Sequence, residues 1–245
     1  MRAILTYHSI DDSGSPISVR RAAFQAHLRW LSSGRVRVLP PADLLAHADN
    51  GVDAVAVTFD DGFASAAEAV RRLADAGFAA TIFAVTDHVG RTNDWGGRAQ
   101  PGIPTLPLMS WADLESLAGR GVAIEAHTCT HPDLTGLAAD AVDRELEQCR
   151  EQIRQRLGIA STHVAYPYGG ANDAVVTRAR RVYRFGHTTD FRTVSETEDP
   201  ATLPRLDMYY FQAPGAIEAW GTAAFQRRLA WIRLRRAIRA RLPRA

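Results

Sequence analysis

The 245-residue chain is 46% hydrophobic and long enough to bury a large core, in one domain or at most two. All 29 of its basic residues are arginine, which excludes chemistry that runs through a Schiff-base lysine or a phosphate-loop lysine. The net charge of +2 is unevenly divided: residues 219–245 hold eight arginines and no acid, leaving residues 1–218 at −6 by difference.

No Ser/Gly-rich linker, low-complexity run or solenoid-period repeat interrupts the chain, so residues 1–218 read as one domain and 219–245 as an Arg-rich helix or tail. The opening apolar run is too short for a signal peptide, and nowhere do 18 apolar residues follow one another. Cys129 and Cys149 form neither a CxxC pair nor a disulfide framework. A soluble cytoplasmic protein is expected, with no nucleic-acid partner.

In chain order, β-like runs fall at residues 3–7, 54–59, 79–85, 122–126, 163–166, 184–189 and 204–208. Helical patterns separate most of them. Phe24, Leu28 and Leu31 mark an early helix, and Ser110 with Asp113 forms a capping box for a helix that ends near Gly121. Over residues 140–157, Val142, Leu146, Cys149, Ile153 and Leu157 make one apolar stripe on a charged helix, which places Cys149 in the core. Seven strands alternating with helices predict a parallel sheet, closed as a barrel or open and doubly wound. The barrel is favoured because His8, Asp60, Asp61, His127, Tyr168 and Asp207 all fall at or just past the C-terminal ends of different strands, where barrel enzymes place their chemistry. Residues 86–109 read as a long loop over the same rim.

Two stretches carry the chemical signal. Thr58-Phe59-Asp60-Asp61-Gly62 ends a buried-strand pattern, so two carboxylates arrive together where apolar pleating stops. Neighbouring side chains on a strand point to opposite faces, and the pair can share one site only if the strand breaks between them, as Gly62 permits. A bound cation would hold both ionised; the alternative is a turn that caps the helical segment 63–76. The second stretch is His127-Thr128-Cys129-Thr130-His131, with two imidazoles at i and i+4 after an apolar strand. Thr128 stands where the zincin motif needs a glutamate, so that motif is excluded.

Taken together, these motifs resemble the polysaccharide deacetylases of the NodB-homology type, carbohydrate esterase family 4, over roughly residues 1–210. The Thr58–Gly62 pentapeptide resembles the family's first motif and His127 to His131 its H-[ST]-x-x-H motif. Leu5-Thr6-Tyr7-His8, Ala165-Tyr166-Pro167-Tyr168-Gly169 and Leu203-Pro204-Arg205-Leu206 look like the branch acting on exopolysaccharide or other biosynthetic glycans. The resemblance implies a distorted (β/α)7 barrel and a metal-dependent N-deacetylase acting on an N-acetylated amino sugar. It implies that Asp61, His127 and His131 bind zinc or a similar divalent ion, that Asp60 is the general base, and that the Tyr168 backbone N–H faces the oxyanion.

Three departures stand out. The arginine that pairs with the base in many relatives is absent from its usual place, and Arg205 is the proposed substitute across the rim. The late Leu-x-His that supplies a general acid is replaced by Leu206-Asp207-Met208, leaving His8, His187 and Asp207 as candidates. The Asp-x-x-Asp-Trp signature is not evident, although Asp190 lies in that region. A C–N hydrolase for a non-sugar amide and a non-catalytic carbohydrate-binding barrel are the competing readings. In the tail, Trp231, Leu234, Ile238 and Leu242 form a narrow apolar stripe among arginines. It predicts either a helix packed on the barrel or weak association with an anionic membrane surface.

Overall fold

The computed structural model describes residues 1–47, 51–96 and 102–241. Strand β1 (Arg2–Tyr7) leads to the short strands β2 (Ser9–Ile10) and β3 (Ser18–Val19), then α1 (Arg21–Leu31), β4 (Arg37–Val38), α2 (Pro41–Ala46) and β5 (Ala54–Phe59). Next come α3 (Ala67–Asp75), β6 (Thr81–Ala84), α4 (Trp111–Ala118), β7 (Ala123–Ala126) and α5 (Ala139–Leu157). The chain continues through β8 (His163–Ala165), α6 (Asp173–Val182), β9 (Phe185–His187), β10 (Leu206–Asp207) and α7 (Ala223–Arg241).

Each of the seven β-like runs in the sequence overlaps one strand of the main sheet, in the order β10-β1-β5-β6-β7-β8-β9, all parallel. Parallel neighbours require crossovers that cover both sheet faces, which is why β5 reads as an unbroken apolar run and is buried along its whole length. The sheet curls until its edges meet. Leu203 bridges His187 in parallel, and its N–H donates to the Gly186 carbonyl; three residues later Leu206 pairs with Leu5 of β1. Residues 203–207 therefore join β9 to β1 and complete a distorted (β/α)7 barrel. The distortion is visible at β5, whose first residues pair with β4 and whose last residues pair with β6. Strands β2, β3 and β4 have two residues each, too few to leave a periodic signal in the sequence.

Local signals explain most helix boundaries. Ser110 and Asp113 form the expected reciprocal capping box, while α4 ends at Gly119 rather than at Gly121. Helix α5 buries Val142, Leu146, Cys149 and Ile153 and stops at Gly158, whose φ of 70° suits a left-handed terminator. Neither α3 nor the 3₁₀ turn before it receives a side-chain cap, so Asp60 and Asp61 are not helix-capping residues. Glu125, buried on β7, accepts hydrogen bonds from the Ser161 hydroxyl and from the Thr162 and His163 amides, fastening the start of β8 to its neighbour.

The Arg-rich segment is a helix on the barrel. Phe225, Leu229 and Ile232 of α7 are buried in the main core cluster with Phe211, Trp220 and Trp30. The stripe singled out in the sequence faces the other way: Trp231, Leu234 and Ile238 are 55%, 60% and 52% exposed, and Leu242 lies outside the described residues. Two apolar stripes on opposite sides of α7 explain why its sequence shows little amphipathicity. No helix among the described residues is long and apolar enough to cross a membrane.

Because its inner face is core, α7 should contribute to global stability. Phe225→Ala and Leu229→Ala are expected to cost about 2–5 kcal/mol each, against less than about 1 kcal/mol for Leu234→Ala. Urea unfolding monitored at the barrel tryptophans checks this; equal, small effects from all three would mean that the helix is an appendage.

Candidate metal and hydrolytic site

The site begins where β5 ends. The Asp60 N–H donates to the Tyr7 carbonyl and so continues the ladder, whereas Asp61 turns into the left-handed region at φ 66° and Gly62 follows at φ 75°. Strand alternation is thereby broken between the two carboxylates, and both remain buried at one end of the barrel. The break is made on Asp61 itself, assisted by Gly62. A non-glycine residue in this region costs about 1–2 kcal/mol. Among the described residues, the four non-glycine residues with positive φ are Asp61, Thr128, His131 and Tyr168, and Asp61, His131 and Tyr168 line one cavity. Strain is concentrated where side chains must converge.

His127 and His131 do not lie on a helix. Left-handed Thr128 and His131 fold the segment back on itself, and the Thr128 hydroxyl accepts the His131 N–H at 3.1 Å. Glu145, from α5, holds the outer side of this loop: its carboxylate accepts the Cys129 and Thr130 N–H groups at 2.8 and 3.0 Å and the Thr130 hydroxyl at 2.7 Å. Cys129 is buried, with its Sγ toward the Glu145 carbonyl.

The loop brings both Nε2 atoms to Asp61, at 3.2 Å from Oδ1 for His127 and 3.3 Å for His131. His127 Nδ1 lies 2.8 Å from the Ala165 carbonyl, which can only accept, so the proton belongs on Nδ1 and Nε2 presents a lone pair. Asp61 Oδ1 is buried and accepts no well-formed hydrogen bond. Among the described residues, Asp61, His127 and His131 are the one trio whose donor atoms all lie within 4.8 Å of one another. Metal–ligand bonds of about 2.0–2.2 Å set adjacent donor atoms roughly 2.8–3.6 Å apart, so this set fits a small divalent ion. Burial alone would raise the Asp61 carboxyl, but the two facing imidazoles hold it well below the usual carboxylate range.

Asp60 faces a different partner. Arg205, itself buried, makes a two-pronged contact, Nη1 to Oδ1 at 2.6 Å and Nη2 to Oδ2 at 2.8 Å. Its Nε donates to the Thr188 carbonyl at 2.9 Å, and its guanidinium lies over the Phe83 ring. The planar fork is thus fixed on two sides. Burial pushes the Asp60 carboxyl up, but Arg205, followed by His127 and His8, more than offsets this and leaves it below its ordinary value.

A cavity of about 190 Å³ opens above these groups. Trp95 stacks on the His131 ring at 4.3 Å, and Tyr168, half exposed at φ 58°, meets the same ring edge-on at 4.7 Å. Trp95 and Ile103 come from the long loop over the rim, as its place in the sequence suggested. His8 also lines this cavity. His187 does not: it is fully buried, its Nε2 lies 3.0 Å from His163 Nδ1, and burial, then His163 and Arg205, press its pKa well down. Asp207 lines a separate space of about 40 Å³ with His8, Asp60 and Arg236, and its carboxylate accepts the Tyr209 N–H. Asp190 pairs with Arg192 and is absent from the lining of both cavities. Glu145, the His163–His187 pair and Arg236 escaped the sequence reading, because nothing in their local patterns distinguishes them from surface or core residues.

Removing the Arg205 charge should let the Asp60 pKa rise, since the opposing effect of burial persists. In metal-free, carboxyl-labelled protein, Arg205→Met is expected to move the Asp60 NMR titration to higher pH, while Arg205→Lys shifts it less. In the wild type the stability from ionised Asp60 is present above the unfolded carboxylate value and fades as pH falls through the depressed folded value. Overlaying wild-type and Arg205→Met titrations would show that Arg205 only ties down its loop.

The sequence model described as "Polysaccharide deacetylase" matches residues 47–184, more than half of the chain. Among curated proteins, YxkH of Bacillus subtilis (strain 168), named for the same family, is 27% identical over 209 residues, covering 83% of this chain and 70% of that protein. Among solved structures, IcaB from Ammonifex degensii superposes with a TM-score of 0.72 at 20% identity, over 95% of this chain and 97% of its own. The Streptococcus pyogenes deacetylase PplD, solved with acetate, gives 0.69 at 21% identity, over 84% and 91%. The polysaccharide deacetylase BC0361 from Bacillus cereus gives 0.67 at 23% identity over 84% of this chain, which spans only 64% of that longer protein. At these identities the structures establish the shared barrel, and the match of the sequence model establishes the family: this chain belongs to the polysaccharide deacetylases.

Proposed function

We propose that this polysaccharide deacetylase is a divalent-metal-dependent N-deacetylase that hydrolyses the acetamide of an N-acetylated amino sugar, in a glycan or a glycan-biosynthetic intermediate. The observation that carries the reading is the division of labour at the end of β5: Asp61 faces two imidazoles, while Asp60, one residue away, faces an arginine. Asp61, His127 and His131 are the proposed ligands, and one carboxylate with two imidazoles suits zinc. Bound by these three residues, a divalent ion would supply Lewis acidity toward an acyl carbonyl and would make a neighbouring water more acidic.

The chain's own groups supply the rest. Asp60 takes the proton from the attacking water, and Arg205 keeps that carboxylate ionised and aimed. The Tyr168 backbone N–H is assigned to the oxyanion that develops on the acyl carbonyl. Trp95 and Tyr168 flank His131 and offer apolar faces on which a sugar ring and an acetyl methyl can rest.

Acetate release from a panel of N-acetylated saccharides and non-sugar acetamides tests the reading. Metal-dependent release from the saccharides is expected, and turnover of the non-sugar amides alone would move the protein to the competing class. Asp60→Asn should keep its metal and lose about 10²–10⁴-fold in kcat, whereas His131→Ala should lose metal and activity together. An Asp60→Asn enzyme near the wild-type rate would sink the assignment of the base.

We further propose that the outer face of α7 associates weakly with an anionic membrane surface. Trp231, Leu234 and Ile238 are exposed on one side of the helix, the Arg235 guanidinium lies 4.5 Å above the Trp231 ring, and residues 219–245 contain no acid. Each arginine near such a surface adds about 1 kcal/mol of attraction. Deleting the helix would also remove core residues, so point changes are the cleaner probe. Trp231→Glu with Leu234→Glu should abolish co-sedimentation with phosphatidylglycerol vesicles while leaving the fold intact; undiminished pelleting would remove the idea.

A further inference from the structure

The two histidines of the candidate ligand trio are held in unlike ways. His127 has the support a metal-bound imidazole usually has: its Nδ1–H is taken up by the Ala165 carbonyl at 2.8 Å, which orients the ring and leaves Nε2 free to coordinate. His131 has no such bond. Its Nδ1 is buried and finds no hydrogen-bond partner among the described residues, although its Nε2 stands 3.3 Å from Asp61 Oδ1. Burying an N–H without an acceptor is costly, and a ring without that bond is held in orientation only by what packs on it. What packs on it is aromatic. Trp95 lies against His131 with ring centroids 4.3 Å apart and planes 21° from parallel, while Tyr168 and His127 cross it at steep angles, 4.7 and 4.9 Å away.

Trp95 is itself fixed. His88 meets it nearly at right angles with centroids 5.0 Å apart, and His88 Nδ1 donates to the Thr92 carbonyl at 3.0 Å. Asn93 ties the two limbs of the same loop together: its Nδ2 donates to the Pro104 carbonyl at 3.1 Å, and its Oδ1 accepts the Leu106 N–H at 2.7 Å.

We propose that Trp95 is a positioning residue for the metal: its indole, stacked on His131, takes the place of the missing hydrogen bond as the support of that ligand. The rim loop that carries Trp95 thereby sets how tightly the ion is held. The inference rests on the metal-dependent reading above and deepens it. The orphaned Nδ1 explains why His131 needs another support, and charge explains why that support is an indole. An imidazole that shares its Nε2 lone pair with a divalent ion becomes electron-poor, and among aromatic faces that of tryptophan attracts positive charge most strongly. The stack is therefore stronger with the ion bound than without it, and only such a difference between the two states raises affinity.

The experiment compares metal-free wild type, Trp95→Phe, Trp95→Leu and Trp95→Ala by competition for zinc against a chromophoric chelator, by the ligand-field spectrum of the cobalt(II)-loaded protein, and by the melting temperature of the metal-free form. Trp95→Leu and Trp95→Ala are expected to weaken zinc binding by about 10–100-fold and to alter the cobalt bands, as loss of a ligand's support does elsewhere. Trp95→Phe, which keeps an aromatic face of weaker quadrupole, should recover most of the affinity and the wild-type spectrum. Trp95 is half-buried on a loop, so the metal-free melting temperature should not move. Zinc affinity of the Leu and Ala variants equal to that of wild type would overturn the proposal, as would a Phe variant as weak as Leu. A metal-free melting temperature that falls in step with affinity would also overturn it, because Trp95 would then serve the fold rather than the ligand. A failure of the metal reading shows itself differently, as a wild-type protein that takes up neither ion.

Discussion

Two neighbouring carboxylates, Asp60 and Asp61, are nearly sealed from solvent at the end of a single buried strand. Leaving a buried charge without a partner costs several kcal/mol, and two such charges repel each other across a short gap. A left-handed residue costs about 1–2 kcal/mol. The balance therefore favours the turn at Asp61, which sends each carboxylate to its own partners: Arg205 for one, two imidazoles for the other. Much of what surrounds the site supports this separation. Thr128 and His131 accept strain to present the imidazoles, and Glu145 on α5 secures the loop between them by three hydrogen bonds.

The other half of the separation depends on how the barrel closes. Arg205 reaches Asp60 because residues 203–207 bridge β9 and β1, placing a side chain from late in the chain beside one that follows β5. The same closure brings α7 onto the barrel. Its Phe225, Leu229 and Ile232 enter the main core, and Arg236 extends to the Thr189 carbonyl and lines the small space beside Asp60. The arginine-rich end of the chain is thus connected to the site by packing, while its outer apolar stripe remains exposed to whatever surface it meets.

Much was legible in the sequence because it depends on local pattern. Seven apolar runs separated by helical segments imply a parallel sheet whatever their partners are, and the buried stripe from Val142 to Ile153 requires only the helical period. The paired carboxylates and the His127/His131 spacing were visible because polar residues at the ends of apolar strands are unusual. The two-residue strands β2, β3 and β4 lie in no apolar run long enough to show alternation, and in α7 inner and outer stripes overlapped in the sequence. The stripe chosen from the pattern therefore proved to be the outward one.

By itself, then, the sequence determined the seven strands of the barrel, the residue types gathered at the site and the family, since these follow from periodicity, residue type and short spacings. Only the tertiary structure decided which groups meet. It paired Arg205 with Asp60 over 145 positions, withdrew His187 into a buried pair with His163, confined Asp207 to a turn, and left His8 facing both Asp60 and the cavity. The physical reason is that contacts across the rim are set by the curl and closure of the sheet, and no local pattern of residues records which strand end will face another.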